Sequence, residues 1–322
     1  MKIAWASVRR AVRRRTLLMA TPALAFAALP AGLIRTVSAD DRNRPAGAET
    51  EELRMADAPR TPTTKVTIER RSQIVLIGIN RPEVHNRVDP ETYSGLGKAF
   101  YRYDRDPTLR AAVLWGHGEN FSRGIDVDAF QALTASGRSL MSELETIDPL
   151  ATRGAGLSKP LVVVVHGDTW NMGHELHLAA DIRIAAANTR FGQDENTHGR
   201  FPGGGATVRF VREAGWANAM RYMLTGDHWG AEEAWRMGIV QQVVLTPADA
   251  LQAGIEIAQR IAACGPLGIR ATLASAHVAL KSAQGEAFAK LDAEYRALYA
   301  TEDFKEGRRA EAEGRTPIYH GR

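Results

Sequence analysis

Glu175 and Glu195 stand near the two ends of the stretch NMGHELHLAADIRIAAANTRFGQDE (171–195), which is otherwise mostly apolar or small. A carboxylate beside an apolar run needs a reason, because burying it ionised is costly. Brought together, two carboxyl groups can share one water and trade roles as acid and base. Each lies beside a turn with its own chemical potential. In HGDTWNMGHELHLAAD (166–181) a buried strand ends and a helix starts near Met172, so Glu175 falls in the first helical turn, where the helix dipole favours its charge. In RFGQDENTHGRFPGGGAT (190–207) Glu195 lies in a loop before a Gly-rich turn and a new helix. A third segment, NFSRGIDVDAF (120–130), also leads from a strand through a turn towards a helix. Backbone N–H groups at such junctions are unpaired and can hold an anion or a developing oxyanion.

The elements that must position these groups alternate between strand and helix. KVTIERR and QIVLIGIN read as strands joined by a short hairpin at Ser72-Gln73. DPETYSGLGKAFYRYDRD reads as a helix capped by Asp89 with Pro90 at its first position. RAAVLWGH, KPLVVVVHG, DIRIAA and IVQQVVL (239–245) continue as strands, and Thr246-Pro247-Ala248-Asp249 opens a helix running to about Cys264. Two or three further helices follow. Interleaved strands and helices with a helical tail give an α/β core and a terminal helical subdomain.

Seven pieces, in order, resemble the crotonase superfamily and above all its enoyl-CoA hydratases. They are NRPEVHN, FSRGID, KPLVVVVHG, GHELHLAADIRIAAANTRFGQDE, FPGGGAT, LTGDHWGAEEAWRMGIV and EDFKEGRRAEAEGRTP, spanning about Val66 to the C-terminus. The resemblance implies a spiral of ββα units, with a core over 65–255 and a C-terminal helical region over 256–322 used in packing a homotrimer or dimer of trimers. It implies an acyl-CoA thioester as substrate, with CoA part of that substrate and no metal or other cofactor. Glu175 and Glu195 fall where hydratases keep their catalytic glutamates. By motif position the thioester oxygen would be held by the N–H groups of Ile125 and Met172, with Gly124, Asp126, Gly173, Pro202 and Gly203 around the substrate. Hydration of a 2-enoyl thioester needs a water activated at C3 and a proton delivered to C2. Glu175 is assigned as the water-activating base and Glu195 as the proton donor. An isomerase of the same fold, or an acyl-CoA-binding protein whose catalysis has lapsed, are the alternatives.

The chain departs from the pattern at Asn171-Met172-Gly173, where hydratases of this type carry a glycine triplet. Met172 keeps the N–H if its backbone sits at negative φ. Arg123 and Trp170 are also unusual near an acyl pocket. Competing motifs are weaker. His174, His177 and Asp181 do not form the HExxH zinc pattern, and both histidines read as ordinary polar helix positions. His166 and Asp168 lack a G-x-S-x-G serine, and PGGGAT lacks the Lys-Ser/Thr of a phosphate loop. Trp229 and Trp235 are expected to pack the helix at 230–238.

The chain has 322 residues, 44% hydrophobic and 24% charged, an ordinary globular composition. Its single cysteine, Cys264, excludes an internal disulfide and is expected to be a buried small hydrophobe. The net charge of +4 arises in residues 1–39, which hold seven basic residues and no acid; the rest has 34 basic and 37 acidic residues, a balance of −3. No global basic signal for nucleic acid remains. Residues 1–39 look like a twin-arginine-type signal, with Arg14-Arg15 before an apolar run and Val37-Ser38-Ala39 after it. Equally, MADAPRTPTTKVTIERR from Met55 looks like a natural start, with the upstream residues mis-called as coding. Pro22, Pro30 and the alanines weaken the run as a stable membrane anchor. Residues 40–64 read as a disordered linker. Acyl-CoA pools are cytosolic, so the expected location is the cytoplasm, with export as the alternative.

Overall fold

The computed structural model describes residues 64–136 and 144–320. The expectations for 1–39 and for 40–63 lie outside the described residues. β1 (Val66–Arg71) and β2 (Ile74–Ile79) form the expected hairpin, with Arg71 opposite Ile74 and Ser72 in the left-handed region at φ 54°. From β2 the chain makes a repeated pass: a strand in one sheet, a short extended segment across from it, then a helix.

In the first pass β2 leads to Val88 and then α1 (Pro90–Arg105). Asp89 caps α1 by accepting from the Thr92 N–H at 2.8 Å, and Pro90 occupies the first position, where no N–H is needed. In the second, β3 (Ala111–Gly116) leads to residues 122–125 and α2 (Val127–Ala135). In the third, β4 (Leu161–Val165) leads to β5 (Asp168–Trp170) and α3 (Met172–Ala179). In the fourth, β6 (Ile182–Ala186) leads to β7 (Arg190–Gly192), a 3-10 turn over Glu195–His198, and α4 (Ala206–Ala214). The chain goes on through α5 (Trp216–Thr225), β8 (Trp229–Gly230), α6 (Ala231–Arg236) and β9 (Gln242–Val244). It ends in α7 (Pro247–Ala262), α8 (Pro266–Tyr299) and α9 (Glu302–Glu313).

The larger sheet runs β1-β2-β3-β4-β6-β9, parallel from β2 onward, and the smaller runs β5-β7-β8. Parallel bridges from Ser122 to Thr169 and from Val88 to Ile125 carry the smaller layer back through the first two passes. This is the ββα spiral. One face of the larger sheet (Val75, Ile77, Val163, Val165) packs on the spiral's helices, while the other (Leu76, Val113, Val162, Val164, Ile184) is covered by α7 through Ala250, Ile255 and Ala258. Burial on both faces is why these strands are nearly continuous apolar runs. The Thr246–Asp249 capping box starts α7 as its sequence indicates.

Several expectations shift. Residues 255 and 256, where core and C-terminal region were divided, both lie inside α7, which runs on unbroken because its buried face belongs to the sheet. The strand expected over 239–245 shortens to β9, because Ile239 and Val240 turn into the main core before it begins. Cys264 is exposed, not buried. It falls after α7 has ended, and its thiol donates to the Arg260 carbonyl at 3.4 Å. Trp229 is buried, but Trp235 is 59% exposed, because α6 turns its other face to the core through Ala231 and Ala234. Among the described residues no helix is long and apolar enough to cross a membrane.

Candidate active site

The third pass builds the centre. β5 delivers the chain to α3, and Glu175 lies in that helix's first turn with 3% of its surface exposed. Its Oε1 accepts from the Ala206 N–H at 3.2 Å, at the first residue of α4. A Cβ on Gly204 would stand 2.2 Å from its Oε2, so only glycine lets the α4 entry come this close. Burial raises the Glu175 pKa to about 7; the Ala206 and Gly204 N–H groups and the Arg209 charge oppose that rise. The carboxylate therefore forms near neutrality, facing the N-terminus of one helix from the first turn of another.

Glu195 is 8% exposed and opens the 3-10 turn after β7. Its Oε1 accepts from the Gln193 side-chain amide at 2.9 Å, while Oε2 is buried with no partner. Burial first, and then the charge of Glu175, push its pKa well above the usual carboxylic range. Burial raises the proton affinity of both carboxyl groups, and the charge of Glu175 raises that of Glu195 further.

The segments that carry the Ile125 and Met172 N–H groups lie against one another at Gly124. Val88 bonds to the Gly124 carbonyl and the Asp126 N–H, both at 2.8 Å, so Ile125 between them turns its own N–H to the other side of the strand. Gly124, at φ 90°, lies against Asn171 and Met172: a Cβ there would meet Asn171 Cβ at 3.0 Å and Met172 N at 3.6 Å. Met172 is the first residue of α3, so its N–H is among the four that no helical carbonyl can take. It has negative φ; the positive φ falls on Asn171, at φ 53° and ψ −119°. Of the remaining expected residues, Gly173 packs on Ser122, Pro202 is buried, and Gly203 donates to Phe201 in the turn into α4. The Asp126 carboxylate accepts from the Ala129 N–H at 3.2 Å at the start of α2.

The sequence reading missed the bracing. Asn171 donates to Asp194 Oδ1 at 2.8 Å and accepts from the Asp194 N–H at 3.0 Å, tying the turn before α3 to the residue before Glu195. Asp194 also accepts from His228 at 2.9 Å. Burial works against its charge, but the bonds from His228 and Asn171 prevail and hold its carboxyl below the usual range. Arg123 and Trp170, flagged as unusual, brace each other: the guanidinium pairs with Asp168 at 2.7 Å and lies 4.9 Å from the indole ring. His174 and His177 are not ordinary polar helix positions. Both are fully buried, 5.7 Å apart, beside Phe191, and His174 also meets Phe210 and Trp229. Helical phase could have signalled this, since Leu176 and Leu178 are buried too and the helix has no solvent face. Asp181 is separate, accepting from the Leu161 N–H at 2.8 Å.

A family model described as enoyl-CoA hydratase/isomerase matches residues 69–322. An enoyl-CoA hydratase of Mycobacterium tuberculosis is 34% identical over 259 residues, covering 79% of this chain and 96% of that protein. The (E)-benzylidenesuccinyl-CoA hydratase of Thauera aromatica is 32% identical over 258 residues, covering 80% of this chain and 99% of its own. Among solved structures, a carnitinyl-CoA hydratase from Mycobacterium avium superposes with a TM-score of 0.71 at 30% identity, over 80% of this chain and 99% of that one.

Proposed function

The chain belongs to the enoyl-CoA hydratase/isomerase family, and from that premise we propose that it adds water across the 2,3 double bond of an enoyl-CoA thioester, with Glu175 and Glu195 as base and acid. The observation that carries this reading is the pair of buried carboxyls, Glu175 in the first turn of α3 and Glu195 at the opening of the 3-10 turn, each with its proton affinity raised by burial and that of Glu195 raised further by the charge of Glu175. The substrate is the acyl-CoA thioester, and no further cofactor takes part.

Glu175 takes a proton from water as its oxygen bonds to C3. The π electrons move through C2, and the thioester carbonyl becomes an enolate oxygen. The N–H groups of Ile125 and Met172 hold that oxygen; losing one such donor costs about 10²–10³ in rate in a measured case. Glu195 then gives its proton to C2. The proton gained by Glu175 and the one lost by Glu195 re-equilibrate before the next turnover. Gly124, Gly173, Pro202 and Gly203 shape the walls through which the thioester approaches. The same reading carries a cytoplasmic location, where acyl-CoA is available, and a homotrimer or dimer of trimers.

Incubating the purified chain with crotonyl-CoA and following the enoyl absorbance tests the proposal. Loss of absorbance with formation of the 3-hydroxy thioester is expected. Movement of a double bond in a 3-enoyl thioester without hydration would favour isomerase chemistry instead. Acyl-CoA binding without turnover at any chain length would contradict the enzymatic reading.

A further inference from the structure

His174 precedes Glu175 on α3 and points into the aromatic cage. Its Nδ1 lies 2.6 Å from the Gln193 side-chain oxygen, and the Gln193 side-chain nitrogen donates to Glu195 Oε1 at 2.9 Å. His174 and Gln193 are both 0% exposed, so no solvent competes for these bonds. Burial lowers the His174 pKa to about 4, against the opposing bond to Gln193. The ring is therefore neutral at physiological pH, with one nitrogen a donor and the other an acceptor.

A glutamine amide between two partners has a direction. With its nitrogen on Glu195, its oxygen must accept, and His174 must carry its hydrogen on Nδ1. Glu195 Oε1 is then occupied as an acceptor. A protonated Glu195 is left with its hydrogen on Oε2, the oxygen with no partner in the protein. In the reverse arrangement the hydrogen of His174 sits on Nε2 and the amide is turned over. Oε1–H then donates to Gln193, and the proton points into the protein, away from substrate. The cage favours the first arrangement. His174 Nε2 and the Trp229 indole nitrogen are both buried without partners, in rings 5.2 Å apart. An Nε2–H tautomer would leave two N–H donors without an acceptor there, whereas an Nδ1–H tautomer leaves only the Trp229 N–H without one.

We infer that His174, acting through Gln193, is a positioning residue for the acid: its Nδ1–H tautomer sets the direction of the relay and keeps the transferable proton of Glu195 on Oε2. This rests on the reading of Glu195 as the donor to C2.

Two replacements separate this from a packing role. His174→Phe keeps an aromatic ring in the cage but has no donor. His174→Asn loses the ring but can present an N–H near the place of Nδ1. Kinetics of the full chain on crotonyl-CoA should show kcat falling by roughly tenfold or more in His174→Phe with KM little changed, and kcat substantially restored in His174→Asn. The opposite order, or equal losses in both, would overturn the inference. A second measurement needs no variant and no turnover. Neutron diffraction from crystals of the full chain grown in D2O should find deuterium on His174 Nδ1 and on Glu195 Oε2. Deuterium on His174 Nε2 overturns the relay even in an active hydratase. Deuterium on Nδ1 in a chain without hydratase activity leaves the relay standing and refutes only the catalytic reading.

Discussion

Replacing Glu175 by glutamine should stabilise the folded protein, and increasingly so as the pH rises. The folded-state pKa of Glu175 is about 7, raised from the usual 4.5 by complete burial. Below the lower value the carboxyl is protonated in both folded and unfolded chains and contributes nothing. Between the two values the unfolded chain releases the proton and the folded one keeps it, so stability falls as pH rises. Above the higher value the folded protein carries the full cost of the buried charge. Each pH unit of that interval is worth about 1.4 kcal/mol, so the whole is about 3 kcal/mol. Glutamine has no charge to bury and keeps an oxygen for the Ala206 N–H. Whatever it gains or loses in hydrogen bonding is independent of pH and cancels when two pH values are compared. Removing the Glu175 charge also relieves Glu195, whose pKa that charge raises. Urea unfolding of both proteins at equal concentration should therefore show an advantage for Glu175→Gln that grows by about 2–3 kcal/mol between about pH 5 and about pH 8. A difference that stays constant with pH, or shrinks as pH rises, would refute the claim that this carboxyl is buried with a raised pKa.

Three other perturbations follow from the same geometry. Asn171→Ala removes two hydrogen bonds to Asp194 and keeps the positive φ, whereas Asn171→Gly removes the same bonds and relieves the backbone. The glycine variant should be the more stable by about 1 kcal/mol, and equal or reversed urea midpoints would contradict this. Gly204→Ala places a methyl 2.2 Å from Glu175 Oε2 and must displace that carboxyl or the α4 entry; kcat should fall by about tenfold or more while acyl-CoA still binds. Arg209→Met removes a positive charge that favours the Glu175 carboxylate. The acidic limb of the kcat profile should then move to higher pH, and an unmoved or lowered limb would show that Arg209 does not act on Glu175.

The sequence was legible where local chemistry decides. Asp89-Pro90 and Thr246-Pro247 announced their helices because caps are short-range devices. The doubly buried strands were apolar enough to stand out, and Glu175 lies in the first turn of its helix as its sequence indicates. The rest depended on partners far along the chain. The positive φ at Asn171 is held by a residue 23 positions later, so nothing adjacent could reveal it. His174 and His177 look polar in sequence, yet the helix carrying them has no solvent face, because α4 and β8 close over it. Cys264 and Trp235 were misjudged for the converse reason, since an apolar residue near a helix end or on its outer face need not be inside.

The central claim is that two glutamates divide the chemistry of hydration. Its most direct test is kcat for crotonyl-CoA hydration by Glu175→Gln and Glu195→Gln, each beside the unaltered chain and with acyl-CoA binding measured in parallel. The account predicts that each replacement alone lowers kcat by about 10²–10⁴ with binding retained. Hydration at near wild-type rate in either variant would contradict it.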